Sequence, residues 1–428
     1  MTGSRPLPPS VYPLDAPPAP ATPPLDGSRH ASVAIIGGGI VGLTTALHLA
    51  EAGTDVVVIE ANEPGWGASG NNGGQLNPGL KFDPATVEAS WGPDLGRRMV
   101  AFGWDTANRA FALIDRLGIA CDAHRGGTLR VARSAKAQRD VATTARQCID
   151  RGLPVRYLDT EASREAAGTD AYFGAMIDAS GGSLNPLAYS RGLARAALAA
   201  GARIHGGTRA LGLARTRGGW SITTATGTLV AEKLLIATNG FTDDLWRDLR
   251  RTIVPVYSAI AATEPLPDER RAGLMPTRLS VYESGRITVY YRLDAQGRLL
   301  MGGRGPMRPI DSPAPIAYLT DYAAQLWPQL KGVRWTHGWN SQLAITSDHW
   351  PHIHEPSPDV LIYLGCNGRG VALGTAIAEQ LAGRLRQGAA APLDLPVVPA
   401  KPIAFHDFWP LGVRAEILRA RILDRLGL

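Results

Sequence analysis

Residues 32–60 read SVAIIGGGIVGLTTALHLAEAGTDVVVIE, and this stretch decides the fold. Ser32 to Ile36 is a short apolar run of the kind that forms a buried strand. Gly37, Gly38 and Gly39 interrupt it, and Ile40 to Ala52 then carries a helical pattern that Gly53 ends. A second β-branched run, Asp55 to Ile59, closes on Glu60. Strand, glycine turn, helix, strand and acid in this order make a βαβ unit. In such a unit Gly37 permits the tight turn, Gly39 lets the backbone approach a pyrophosphate, and Gly42 lets the helix pack close to the strand. Ile40 and Val41 open the helix, whose N-terminal amides face the phosphates. Glu60 lies eighteen positions after Gly42, close to the ~20-residue offset of a carboxylate that binds the adenosine ribose. The unit is read as a dinucleotide site.

Upstream, nine prolines fall between Pro6 and Pro24, so residues 1–29 are expected to form an extended, polyproline-like arm. No apolar stretch there suits a signal peptide, and nowhere does the chain offer about 18 consecutive apolar residues. A protein without a membrane span is expected. Cys121, Cys148 and Cys366 lie far apart without CxxC spacing, which argues against a zinc site or a disulfide framework and for a reduced, cytoplasmic protein. His349, His352 and His354 sit on a proline-flanked loop, and no metal site is expected there. The net charge of +6 is spread over 428 residues, with arginines scattered among acids, so no nucleic-acid surface is indicated. Oligomeric state is not legible.

Downstream, Pro84 to Arg151 is largely helical in pattern, interrupted by a strand-like Gly127 to Ala132. A helix begins at Pro186, and short strands are expected near residues 202–205, 220–224 and 233–237. Val254 to Glu264, Leu279 to Tyr291 and Leu299 to Gly302 read as strands of an antiparallel meander that walls a substrate cavity. Val360 to Leu364, a glycine turn and a helix from Val371 to Arg386 restore the first pattern. The fold expected is α/β, with a Rossmann-like nucleotide-binding domain over residues 30–85, 184–244 and 351–388. Interleaved with it is an α+β substrate domain built on an antiparallel sheet, over residues 86–183 and 245–350. Residues 389–428 read as a tail.

The nucleotide is identified by a second stretch, Gly67-Ala68-Ser69-Gly70-Asn71-Asn72-Gly73-Gly74-Gln75. It resembles the flavin-contacting loop of the D-amino-acid oxidase superfamily. Three further segments carry the same resemblance: Gly182 to Pro186, Leu235 to Gly240 and Gly365 to Val371. The likeness implies FAD as cofactor, held by Ala68, Ser69, Asn71, Gly73, Gly74 and Gln75 from the loop. Glu60 with Ala61, Ala210, and Thr238, Asn239 and Gly240 at a strand end are implied to join them. Gly368, Arg369, Gly370 and Val371 open a helix toward the flavin, where a helix N-terminus stabilises the negative charge of the reduced ring. Within the superfamily, Arg251 to Leu266, Tyr290 to Arg292, Arg298 to Gly303 and Phe405-His406 resemble the γ-glutamylputrescine oxidase branch.

Two departures from the family pattern bear on the substrate. Gly338 to Ala344 contains no arginine where relatives clamp a substrate carboxylate, so an amine whose carboxylate, if any, lies far from the reacting carbon is expected. Leu299 to Gly302 contains no lysine of the kind that assists reaction with oxygen, which leaves oxygen or an electron carrier as the acceptor. Lys81, one of five lysines, is a candidate to approach the ring from another side. Tyr257, Tyr291 and Gln342 are the candidate substrate wall. The expected reaction takes a hydride from the carbon bearing an amine and leaves an imine that hydrolyses. A flavin dehydrogenase acting on an amino acid or a hydroxy acid, and a tRNA-modification module, are the alternatives.

Overall fold

A computed structural model describes residues 5–285 and 288–425. Two eight-stranded sheets organise it. The first places five parallel strands in the order Arg203–His205, Val56–Ile59, Gly27–Ile36, Gly227–Ile236 and Val360–Leu364. His352–Ser357 adds antiparallel at one edge, and the strands Gly212–Thr216 and Gly219–Thr223 branch from Gly227–Ile236. The central strand is covered on both faces. Val33 and Ile35 join one core, with Leu43 and Leu47 of the helix Ile40–Glu51, while Ala34 and Ile36 join another on the opposite side. This is why its sequence is an unbroken apolar run rather than an alternating one.

The first core also takes the helix Pro84–Leu117, which is broken where Gly92 adopts φ +77° ahead of Pro93. Met99, Trp104 and Phe111 of that helix share a core with Ile377 and Leu381 of the helix Gly370–Gln387. Each such side chain contributes about 1.5–3 kcal/mol on burial.

The second sheet runs Trp335–Ile345, Val254–Thr263, Leu299–Arg304, Tyr290–Leu293, Ser280–Glu283, Thr128–Ala132, Gly174–Asp178 and Val155–Leu158. Its pairings are antiparallel except that Ser280–Glu283 runs parallel to Thr128–Ala132. The run expected as one strand from Leu279 to Tyr291 is two strands of a hairpin, Ser280–Glu283 and Tyr290–Leu293. One face of this sheet packs on the helix Ala317–Leu326 through Tyr291, Met301, Leu319 and Trp327. The other faces the first sheet's glycine turns.

The N-terminal arm carries one turn of 3-10 helix, Tyr12–Leu14, and Val11 and Tyr12 are buried against Trp339, Ile260 and Leu300. Its other end begins the central strand at Gly27 rather than Ser32. The tail carries a helix, Trp409–Arg425. Among the described residues no helix is long and apolar enough to cross a membrane.

Candidate active site

The glycine turn has the crowding that a dinucleotide cradle needs. A Cβ on Gly42 would lie 2.0 Å from the Gly37 carbonyl oxygen, and one on Gly39 would lie 2.7 Å from Ser69 Oγ. Gly37 itself has φ +114°, a region that favours glycine. Ser69 Oγ accepts from the Ile40 amide at 2.9 Å, so the helix N-terminus and the loop Gly67–Gln75 are joined where phosphate charge is best placed. At the end of the second strand the Glu60 carboxylate accepts from the Gly38 amide at 2.7 Å and the Asn62 amide at 2.9 Å. Burial pushes its pKa up, and those backbone amides pull it back down.

The loop Gly67–Gln75 is braced mainly by its own chain and by three distant side chains. Asn71 Nδ2 donates to the carbonyls of Trp66 and Gly67, and Asn72 Nδ2 to those of Ala68 and Ser69. The outward carbonyls of Asn71 and Asn72 accept from Trp339 Nε1 at 3.0 Å and Tyr12 OH at 2.7 Å. The rings of Tyr12 and Trp339 meet edge-on at 5.3 Å. Buried Arg292 donates from Nε to the Gly73 carbonyl at 2.7 Å and from Nη2 to that of Leu184 at 3.0 Å. Gln75 Nε2 reaches the carbonyls of Val281 and Tyr291. The loop is thereby fixed to the N-terminal arm and to the second sheet.

Between the two sheets lies a cavity of about 350 Å³. Gly39, Ile40 and Val41 line one end. Ala68, Ser69, Asn71, Gly73 and Gln75 form a side, and Asn239, Gly368, Arg369, Gly370 and Val371 form another. Two helix N-termini, at Ile40 and Gly370, therefore open on the same space. Asn239, at φ +42°, ties that side together: its Oδ1 accepts from the Gly365 amide at 3.0 Å and its Nδ2 donates to Cys366 Sγ. The remaining expected cofactor residues are placed outside the cavity. Gly37 and Gly42 shape the turn, while Glu60 and Ala61 lie beyond it, where an adenosine end would extend. Gly74, at φ +68°, turns the loop toward Leu184. Thr238 bonds to Thr242, Gly240 packs on the Gln342 backbone, and Ala210 is buried in the far core. Asn72, which lines the cavity, had no role assigned from sequence. An elongated, anionic dinucleotide fits these residues.

The second sheet meets the cavity through one face only. Paired positions Ser258, Arg304 and Ser341 share that face, as do Tyr290, Tyr282 and Arg130 in the neighbouring strands. All six line the cavity. Lys81 lines it too, but Tyr257, Tyr291 and Gln342 do not. Tyr257 and Gln342 are opposite each other in the ladder, on the face turned away. Tyr291 is fully buried, with its ring edge-on to Trp327 at 5.0 Å and its hydroxyl 2.6 Å from that of Tyr172. In a strand, successive side chains point to opposite faces, so a choice one residue away selects the other surface. The residues in position are Ser258, Tyr290 and Ser341.

Tyr290 is wedged between Gly73 and Gly302: a Cβ on either would come within 2.5 Å or 2.1 Å of its ring. Its hydroxyl lies 2.9 Å from Ser258 Oγ. Burial pushes its pKa up to about 12, so it stays protonated. Burial also lowers the pKa of Lys81, reinforced by the charges of Arg369, Arg130 and Arg304. Among the described residues no group of three His, Cys, Asp or Glu side chains could hold a metal ion.

The family model described as FAD dependent oxidoreductase (DAO) matches residues 32–384. The chain is 33% identical over 400 residues to "Probable oxidoreductase OrdL" of Rhizobium meliloti, covering 92% of each protein. It is 32% identical over 376 residues to the gamma-glutamylputrescine oxidoreductase of Escherichia coli, covering 86% of this chain and 87% of that one. The crystal structure of glycine oxidase from Geobacillus kaustophilus superposes with a TM-score of 0.73 at 22% identity, over 88% of this chain and 99% of the other, which shows a common fold. The chain belongs to the DAO family of FAD-dependent oxidoreductases, and FAD is its cofactor.

Proposed function

We propose that the chain oxidises the carbon bearing the amine of a small substrate, γ-glutamylputrescine-like or another small amine. The reaction removes a hydride from that carbon while the amine is neutral, and water hydrolyses the resulting imine to a carbonyl compound and ammonium. Bound FAD supplies the two-electron acceptor, which oxygen or an electron carrier reoxidises. The chain's own contribution is positioning. The observation that carries this reading is the polar face of Ser258, Tyr290 and Ser341, which lines the cavity together with the loop Gly67–Gln75. Its hydroxyls can orient an amine, and the wedged Tyr290 ring limits where the substrate carbon lies. The likeness to the Escherichia coli gamma-glutamylputrescine oxidoreductase supports the same substrate class.

The residues proposed to hold FAD are Gly37, Gly39, Ile40, Val41 and Gly42 at the turn, Glu60 at the ribose, the loop from Ala68 to Gln75, Asn239, and Gly368 to Val371. A second reading, a dehydrogenase of an amino acid, is favoured by Arg304 and Arg130, which bring guanidinium groups to the cavity from strands other than Gly338 to Ala344. The two are separated by following the flavin band anaerobically as amines, amino acids and hydroxy acids are added singly. Bleaching by amines supports the proposal. Bleaching by α-amino acids alone supports the second reading, and a band unmoved by either overturns both.

A further inference from the structure

The cavity holds an excess of positive charge that cofactor binding at the glycine turn does not explain. Lys81, Arg130, Arg304 and Arg369 all line it, and they come from a loop, two strands and a helix N-terminus. Arg369 is engaged: it donates to the carbonyls of Pro78 and Gly79 and lies 5.7 Å from the Tyr282 ring. Arg130 donates to Ser284 Oγ at 3.2 Å, which leaves its charge unneutralised. Among the described residues that line the cavity, the acid is Glu283. Its carboxylate is turned through the sheet to the other face, where it accepts from Tyr172 at 3.1 Å and from Tyr322. No carboxylate pairs with Lys81, Arg130 or Arg304 among the described residues, and burial together with mutual repulsion lowers the pKa of Lys81. Like charges gathered in a partly desolvated space are unfavourable unless an anion joins them.

We propose that Lys81, Arg130 and Arg304 form a subsite for a carboxylate that the substrate carries at the end remote from its reacting amine. The inference rests on the amine reading above and narrows it. Arg304 is the direct cross-strand partner of Ser258, and Arg130 lies three strands beyond it on the same face, so the cations extend along that face from beside the amine-orienting hydroxyls. The strand Trp335–Ile345 presents Ser341, Leu343 and Ile345 to the cavity, so the anion is read from other strands. Cations from three separate elements can engage both oxygens of one carboxylate, and charge-assisted bonds of this kind are the stronger class. A plain diamine is disfavoured at the same place, because its second ammonium would meet three positive charges.

Two amides of the same diamine test this: the aminobutyl amide of glutaric acid, which ends in a carboxylate, and that of pentanoic acid, which ends in a methyl group. With FAD-loaded protein, the dissociation constant of each is read anaerobically from the flavin spectrum, by bleaching or by perturbation of the oxidised band. The carboxylated amide is expected to bind about 10- to 100-fold more tightly than its neutral twin. In Arg304→Gln and in Lys81→Met that ratio is expected to fall several-fold toward unity. A merely structural role for these residues would weaken both amides alike and leave the ratio standing. A ratio near unity in the unaltered protein, or one unmoved by either substitution, overturns the subsite. If neither amide bleaches the flavin, the amine reading fails, while the ratio from the perturbed band still decides the subsite.

Discussion

The loop Gly67–Gln75 and the second sheet touch each other at Tyr290, but they are organised on different principles. The loop is built from backbone: its asparagines bond to its own carbonyls, and a residue's role follows from its place in the turn. The sheet is built from side chains, whose roles follow from strand parity. Loop residues chosen by position fall on the cavity with the exception of Gly74, whereas three sheet residues chosen by chemical type fall one place away from it. A cofactor common to a family is gripped by backbone geometry, and a substrate is gripped by side chains that the same backbone can carry in several forms.

The largest effect that this contrast predicts comes from breaking the backbone cradle. Gly42→Val would place side-chain atoms where the Gly37 carbonyl already stands at 2.0 Å from a Cβ. Purified variant protein is expected to lose essentially all bound FAD, read as the flavin-to-protein absorbance ratio. Retention of a normal ratio would show that the turn does not hold the dinucleotide.

Next in size is the support beneath the loop. Tyr12 is 2% exposed and holds the Asn72 carbonyl. Tyr12→Ala removes a buried ring, for which about 3–5 kcal/mol of stability is the expected loss. Because that ring backs the flavin loop, weakened FAD retention should accompany a lower unfolding midpoint. A variant that unfolds and retains FAD like the parent would show that the arm is only draped over the surface. The proline count of residues 1–29 announced an extended segment and concealed this anchor, since a single tyrosine that reaches a carbonyl sixty residues away leaves no local pattern.

The sharpest test of the parity argument pairs two adjacent substitutions. Tyr290→Phe removes a hydroxyl that faces the cavity beside Ser258, and about a tenfold fall in the rate of anaerobic flavin reduction is expected. Tyr291→Phe removes a hydroxyl bonded to Tyr172 behind the sheet, and about 1 kcal/mol of stability should go with reduction unaltered. The opposite assignment of effects would place the sheet the other way round.

The sequence could not distinguish these neighbours because both faces of the sheet are covered. A half-exposed strand alternates polar and apolar residues, but here Tyr290 is half-buried beside the fully buried Tyr291, and Ile260 and Ala261 are both buried. Cover on both faces blurs the alternation that parity is read from. The βαβ unit was legible because each of its glycines answers a local steric demand. The parallel pairing of Ser280–Glu283 with Thr128–Ala132 was not, because it joins segments about 150 residues apart that share no pattern. Arg292 was legible as part of the family likeness but not as a support of the loop, for a similar reason: the carbonyls it holds, at Gly73 and Leu184, are far away in sequence.

The smallest predicted effect separates the two regions by pH. Backbone amides at the glycine turn do not titrate, so FAD affinity should stay level while pH rises through the range in which Lys81 loses its proton. The carboxylate subsite behaves otherwise. Burial and the neighbouring arginines lower the pKa of Lys81 from its ordinary 10.5, so its cation is lost at lower pH than that of an exposed lysine. Affinity for the carboxylated amide should therefore fall as pH rises through that lowered value, by up to about tenfold for one charge-assisted contact. Folding responds with the opposite sign. The unfolded lysine keeps its proton to higher pH than the folded one, so between the two values the unfolded state binds more protons and stability without ligand rises with pH. Tyr290, with its pKa pushed up to about 12, stays neutral across this window and does not confuse the reading. Lys81→Met should flatten the pH dependence of carboxylated-amide affinity that this lysine causes and leave the FAD curve as it was. A slope that survives the substitution would assign the titration to another group.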